Sequence, residues 1–211
     1  MQKLNQQPDI CPYFSPEFKV IPQYIVMKEG ECMELNNKTT NFFIFILSGE
    51  ITISFEQYTN RPVLENEMFF LPKNNCFKWK AVTKTALILT GYNTTTFPCT
   101  SARAGILYKI KGGVKFDCRG VVMKDEVKTV VNQMKHYLES GINCHHMYIL
   151  KHKELYLMFK HFYTLEEIVQ IFYLTLGSNP LFNERVLDNY LKVKTVKELA
   201  GLLGYGIKTF E

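Results

Sequence analysis

No histidine occurs before His136, and all five (136, 145, 146, 152 and 161) lie in the second half of the chain. Everything upstream therefore lacks the neutral imidazole that most protein metal sites use. The six cysteines, at 11, 32, 76, 99, 118 and 144, contain no C-x-x-C pair, which points to isolated thiols rather than a disulfide frame. Long hydrophobic runs are missing too. The longest wholly apolar stretch, Phe42 to Leu47, falls far short of a membrane span. The opening residues, MQKLNQQPDICPYF, carry no charged-then-apolar signal region, so the expected location is the cytoplasm. GxGxxG and Walker-type loops are absent, Gly112-Gly113 reads as a turn, and no glycine-rich elbow frames a Ser or Cys. No catalytic site, metal or cofactor is expected, and the chain does not read as an enzyme. Charge blocks are also lacking. The net charge of +5 and pI near 8.8 come from scattered lysines, which permit DNA binding without arguing for it.

What is present divides into two periodicities. From Val20 to about Ile110 the period is two. Phe42 to Leu47 is apolar on both faces, as a buried strand is. After Ser48-Gly49, the segment from Glu50 to Glu56 alternates, with Ile51, Ile53 and Phe55 on one face, and the pair reads as a hairpin. Met68 to Leu71, Phe77 to Ala81 and Ala86 to Leu89 add further short strands, and turn signals at roughly ten-residue spacing suggest an antiparallel barrel or jelly roll. From about Lys124 the period becomes 3.6. Val127, Val130, Val131, Met134, Tyr137 and Leu138 form one stripe, closed by Gly141. Residues 145 to 162 read as helix, with Met147, Leu150, Leu155, Met158, Phe159 and Phe162 toward the core. Thr164 and Glu167 form a capping box for a helix that Gly177 ends, and Asn179-Pro180 opens another.

The closing segment, TVKELAGLLGYGIKTFE, is the most specific. Thr195 and Glu198 make a second capping box, and Val196, Leu199, Ala200 and Leu203 share a face. Gly204 can take positive φ past the helix end, and Gly206 can cap the next helix. This is helix-turn-helix grammar, in which the second helix enters the major groove.

These residues resemble the first helix-turn-helix unit of the arabinose-regulator (AraC/XylS) family of transcription factors, in Leu199-Ala200, Gly204-Tyr205 and Phe210. Gly206 departs from the family, which usually carries Ser there. The string LSGEITI and the later MFFLPKNN resemble the cupin barrel at the N-terminus of such regulators. The stretch from Cys144 to Tyr190 looks like the helical connector of their Bacteroidetes-type members. The resemblance implies an α+β chain with three parts: a cupin-like antiparallel β-barrel over residues 1–115, a helical connector and dimerisation region over 116–180, and the start of a DNA-binding domain over 181–211. It implies a recognition helix from Ile207 with Lys208 and Glu211 toward the groove, and phosphate contacts from Lys194 and Lys197. Only one turn of that helix lies within residues 1–211. This stretch is therefore expected to carry sensor and connector, and to show no specific DNA affinity alone.

Two further readings complete the expectations. A small effector would find Phe43, Phe45, Phe55, Trp79 and Tyr92 inside the barrel, although a filled interior is the competing arrangement. Cys144, His145, His146 and His152 have a zinc-like composition, but adjacent histidines point about 100° apart on a helix, and the bland reading leaves them exposed. The implied partners are DNA in the intact protein, a small-molecule effector and a second copy of the chain, with no membrane. The alternative is a stand-alone ligand-sensing or dimerisation module that never touches DNA.

Overall fold

A computed structural model describes residues 21–37, 40–56, 58–73, 75–92, 113–114, 116, 118–142, 144–174, 186 and 189–203. Among the described residues nine strands come first: β1 (Gln23–Met27), β2 (Cys32–Asn37), β3 (Asn41–Ser48), β4 (Ile51–Phe55), β5 (Tyr58–Val63), β6 (Glu67–Leu71), β7 (Asn75–Ala81), β8 (Thr85–Tyr92) and β9 (Val121–Val122). Helices α1 (Asp125–Glu139), α2 (His145–Phe162) and α3 (Leu165–Phe172) follow. A 3₁₀ turn at Tyr190–Lys192 precedes α4 (Val196–Leu203). The class is α+β.

The strands form two antiparallel sheets, ordered β1-β8-β3-β6-β9 and β2-β7-β4-β5. Consecutive strands β1 to β4 alternate between sheets, as do β6 to β8. Strands 1, 8, 3 and 6 facing strands 2, 7, 4 and 5 is the double-Greek-key jelly roll, the architecture that cupins share. The expected hairpin of Phe42–Leu47 with Glu50–Glu56 is corrected here. β3 pairs with β6 and β8, whereas β4 pairs with β5 and β7. Gly49 makes the corner between the sheets. Its φ is +83°, and a Cβ there would sit 2.5 Å from the Lys84 carbonyl and 2.7 Å from Thr85 Oγ1. The true hairpin is β4–β5, closed through Glu56 at φ +48°.

Along its central strands both faces of the larger sheet are buried, which explains why β3 reads apolar throughout. Ile44, Ile46, Phe69, Leu71, Leu87 and Leu89 face the other sheet and meet Ile51, Ile53, Phe55, Phe77, Trp79 and Ala81 across the barrel. Phe43, Phe45, Met68, Phe70, Ile88 and Tyr92 face outward into a second core built by Val127, Val130, Val131 and Met134 of α1, Tyr148, Leu155 and Phe159 of α2, and Ile168 and Ile171 of α3. The change from strands to helices, placed at 115/116 from the sequence, thus falls inside one packed unit: β9 extends the sheet, and the helices complete the core.

The helices follow their local signals. Gly141, at φ +70°, closes α1 as its position suggests. Thr164 and Glu167 form the full reciprocal capping box of α3. In α4 the Glu198 N–H donates to Thr195 Oγ1 at 3.1 Å, while Glu198 Oε2 accepts from the Lys194 N–H at 2.9 Å, one residue earlier than a standard box. Leu199, Ala200 and Leu203 are buried, but Val196 is exposed. On α2 the sequence reading is corrected at four positions. Leu150 is 63% exposed and Phe162 42%, while His145 and His152 are buried. Among the described residues, no helix is long and apolar enough to cross a membrane.

Candidate functional site

The five residues expected to share a ligand pocket separate into two groups. Phe55 and Trp79 lie inside the barrel, whereas Phe43, Phe45 and Tyr92 lie on the opposite face of their sheet, under the helices. The cause is strand parity. A strand apolar at every position gives no sign of which alternate set points inward, and the inward set is Ile44 and Ile46. Phe43 instead centres a stack beneath the helices, with ring centroids 4.8 Å from Phe70, 5.0 Å from Tyr92 and 5.5 Å from Phe159. Burial raises the Tyr92 hydroxyl well above its usual range, with Tyr156 adding to the shift, so it stays neutral. That second core is a packed joint.

The joint has one polar contact that the sequence reading missed. Thr90 Oγ1 and His152 Nε2 lie 2.7 Å apart, both buried. Burial is the larger cause, and His145 the smaller, that holds His152 down to about 4, so its imidazole is neutral. His145 is lowered as well, by burial and by His146 beside it. Burial of His145 and His152 replaces the expected exposed helix face. The signal was available: at helical spacing, His145, His152 and Phe159 fall on one stripe, seven residues apart. Among the described residues, no three His, Cys, Asp or Glu side chains gather as a metal site would require.

The barrel interior holds a different arrangement at the end where β4 turns into β5. Ile53 on β4 is opposite both Trp79 on β7 and Arg61 on β5, so the three share one row of the inner face. Between Ile53↔Arg61 and Phe55↔Tyr58 the register shifts by one residue, which is a β-bulge in β5. Asn60 makes the bulge with φ +50°, and its N–H donates to Ser54 Oγ at 2.9 Å. The consequence is geometric. Tyr58 and Arg61, three apart, both turn inward, where ordinary alternation would send one outside.

Around this row the rings are close. Phe55 lies 5.2 Å from Tyr58 and 4.6 Å from Phe77, and Tyr58 lies 5.9 Å from Phe116, which stacks on Tyr173 at 4.3 Å. The Arg61 guanidinium is 6.0 Å from the Tyr58 ring centre. Among the described residues, two buried donors here have no acceptor: Arg61 Nε and Trp79 Nε1. Among the described residues, no carboxylate pairs with Arg61. An unmet buried donor costs about 1–3 kcal/mol.

Of the residues assigned to DNA, Lys194 and Lys197 are exposed at the start of α4, and Lys208 and Glu211 lie outside the described residues.

No protein-family model and no curated protein matches the chain. Among solved structures it is similar to a conserved Streptococcus pyogenes protein of unknown function, with 19% identity over 34% of this chain and 62% of that one, at a TM-score of 0.32. It is also similar to the cupin domain of Schizosaccharomyces pombe Cnp3, with 22% identity over 44% of this chain and 63% of that one, TM-score 0.34. A cupin-2 domain protein from Shewanella frigidimarina matches with 16% identity over 33% of this chain and 66% of that one, TM-score 0.30. The chain spans less than two thirds of the first two.

Proposed function

We propose that this jelly roll with its helical layer is the sensing and connecting part of a transcription regulator of the AraC/XylS type. On this reading it performs no catalysis. The barrel responds to a small molecule, the helices α1 to α3 relay that response and join two copies of the chain, and α4 begins the DNA reader. The observation that carries the proposal is α4. It is a short helix held by Thr195 and Glu198 at its start, with Leu199, Ala200 and Leu203 buried on one face, as the first helix of a helix-turn-helix unit must be. The shared core supports the relay. Phe43 touches Phe70 and Tyr92 on the sheet and Phe159 and Phe172 on α2 and α3, so a shift in the strands cannot leave the helices where they are.

The decisive experiment uses the whole coding sequence, including whatever follows residue 211, in a selection from a random duplex pool. Enrichment of one motif, bound with steeply salt-dependent affinity, is the expected result. Folded protein that enriches nothing would overturn the regulator and favour the second reading, a stand-alone ligand-binding module. The inward donors of Arg61 and Trp79 support ligand binding, the part that this second reading keeps.

A further inference from the structure

We propose that the effector is a small aromatic carboxylate, held at the β4–β5 end of the barrel by Arg61 and Trp79. This identification rests on the sensing role proposed above. Three independent features of the site converge on it. The first is the bulge at Asn60, which costs β5 a regular ladder and yields an inward Arg61 directly across from Ile53. Bulges are enriched beside functional sites because they re-aim side chains in this way. The second is the charge. Arg61 brings an inward guanidinium to a barrel interior whose buried cluster is otherwise apolar and aromatic. With no carboxylate facing it among the described residues, its natural counter-ion is an anion from outside the chain. The third is Trp79. It is 2% exposed, its indole N–H lacks an acceptor among the described residues, and it sits in the same interior row as Arg61.

The rings define the rest of the ligand. Phe55, Tyr58 and Phe77 surround the row with centroid spacings of 4.6 to 5.2 Å, the range of offset and edge-on aromatic pairs. Because these rings already touch one another, a ligand ring binds by taking the place of the half-buried Tyr58 against Phe55, with its carboxylate on the Arg61 guanidinium in the row that also holds Trp79. A sugar would fit less well, because its several hydroxyls would be left against apolar rings. A divalent cation is disfavoured by Arg61 itself.

Trp79 is the chain's single tryptophan, so its emission reports this site alone. Phenylacetate is the probe, with phenylacetamide as its neutral isostere and inorganic phosphate as an anion without a ring. The expected result is a saturable change in Trp79 emission with phenylacetate, at least about tenfold weaker with phenylacetamide, and again at least about tenfold weaker in Arg61→Gln. Phosphate should compete weakly. In Trp79→Phe, followed by calorimetry, affinity should fall severalfold while binding persists. Equal affinity for the amide, unchanged affinity in Arg61→Gln, or no saturable response to phenylacetate would each overturn the proposal. The amide comparison uses the unaltered chain and stands even where a variant misfolds. These failures are separable from failure of the regulator, since motif enrichment from the duplex pool does not depend on which ligand binds.

Discussion

His152 couples stability to pH through one proton. Its folded-state value of about 4 lies below the 6.5 of a free imidazole, because burial first, and His145 second, oppose the charged form. The unfolded chain therefore binds a proton that the folded one refuses. Stability is full above about pH 6.5 and is lost as pH falls toward 4, below which the loss levels off. Between pH 7 and pH 5 the change is about 2 kcal/mol. Urea midpoints at the two pH values measure it, and His152→Gln should remove most of the difference. A variant as pH-sensitive as the parent would refute the assignment. Arg61 and His152 also show what single residues concealed. Both were written in the sequence, but one needed the bulge at Asn60 to face inward. The other was judged by its polarity, although its helical register with His145 and Phe159 already placed it on the buried stripe.

Elements are joined here by specific polar contacts. Tyr163, at the end of α2, accepts from the Lys124 N–H at 2.8 Å and donates to the Val122 carbonyl at 3.1 Å, tying β9 and the start of α1 to the α2–α3 corner. Lys124 Nζ reaches Glu167 Oε2 at 2.8 Å, and that same carboxylate oxygen caps α3 by accepting from the Thr164 N–H. Burial pulls Glu167 upward, but Lys124 and the Thr164 N–H outweigh it and hold the carboxylate below its usual value. Tyr163→Phe leaves a backbone donor and a carbonyl unmet and should cost about 1–3 kcal/mol. Chemical denaturation reads the loss, and a change under a few tenths of a kcal/mol would show that water replaces the hydroxyl. Thr195→Ala should cost α4 about 1 kcal/mol, visible as faster amide exchange at Glu198 with the barrel unaffected. Capping boxes were legible because they are local: four residues carry the whole device. Strand partners were not, because the pairing of β3 with β6 and β8 depends on residues about twenty-five and forty-five positions away that no local pattern announces.

At the scale of the whole molecule the deciding fact is that β3, β6 and β8, at the middle of the larger sheet, are covered on both faces. A jelly roll of this kind commonly exposes its outer surfaces to water, but Phe43, Phe45 and Phe70 would then form an apolar patch. The helices cover it, and barrel and helices should unfold as a single cooperative unit rather than as beads on a chain. Phe43 is the place to test this, because it is fully buried and touches strands and helices alike. Phe43→Ala should destabilise by about 3–5 kcal/mol. More telling is how the loss is distributed. Trp79 emission reports the barrel, and far-ultraviolet circular dichroism is dominated by the helices. In the parent chain and in Phe43→Ala the two transitions should coincide and shift together. Helices that melt first while Trp79 stays buried would mean that the joint is loose, and a loose joint cannot carry a signal from Arg61 at the barrel end to α4.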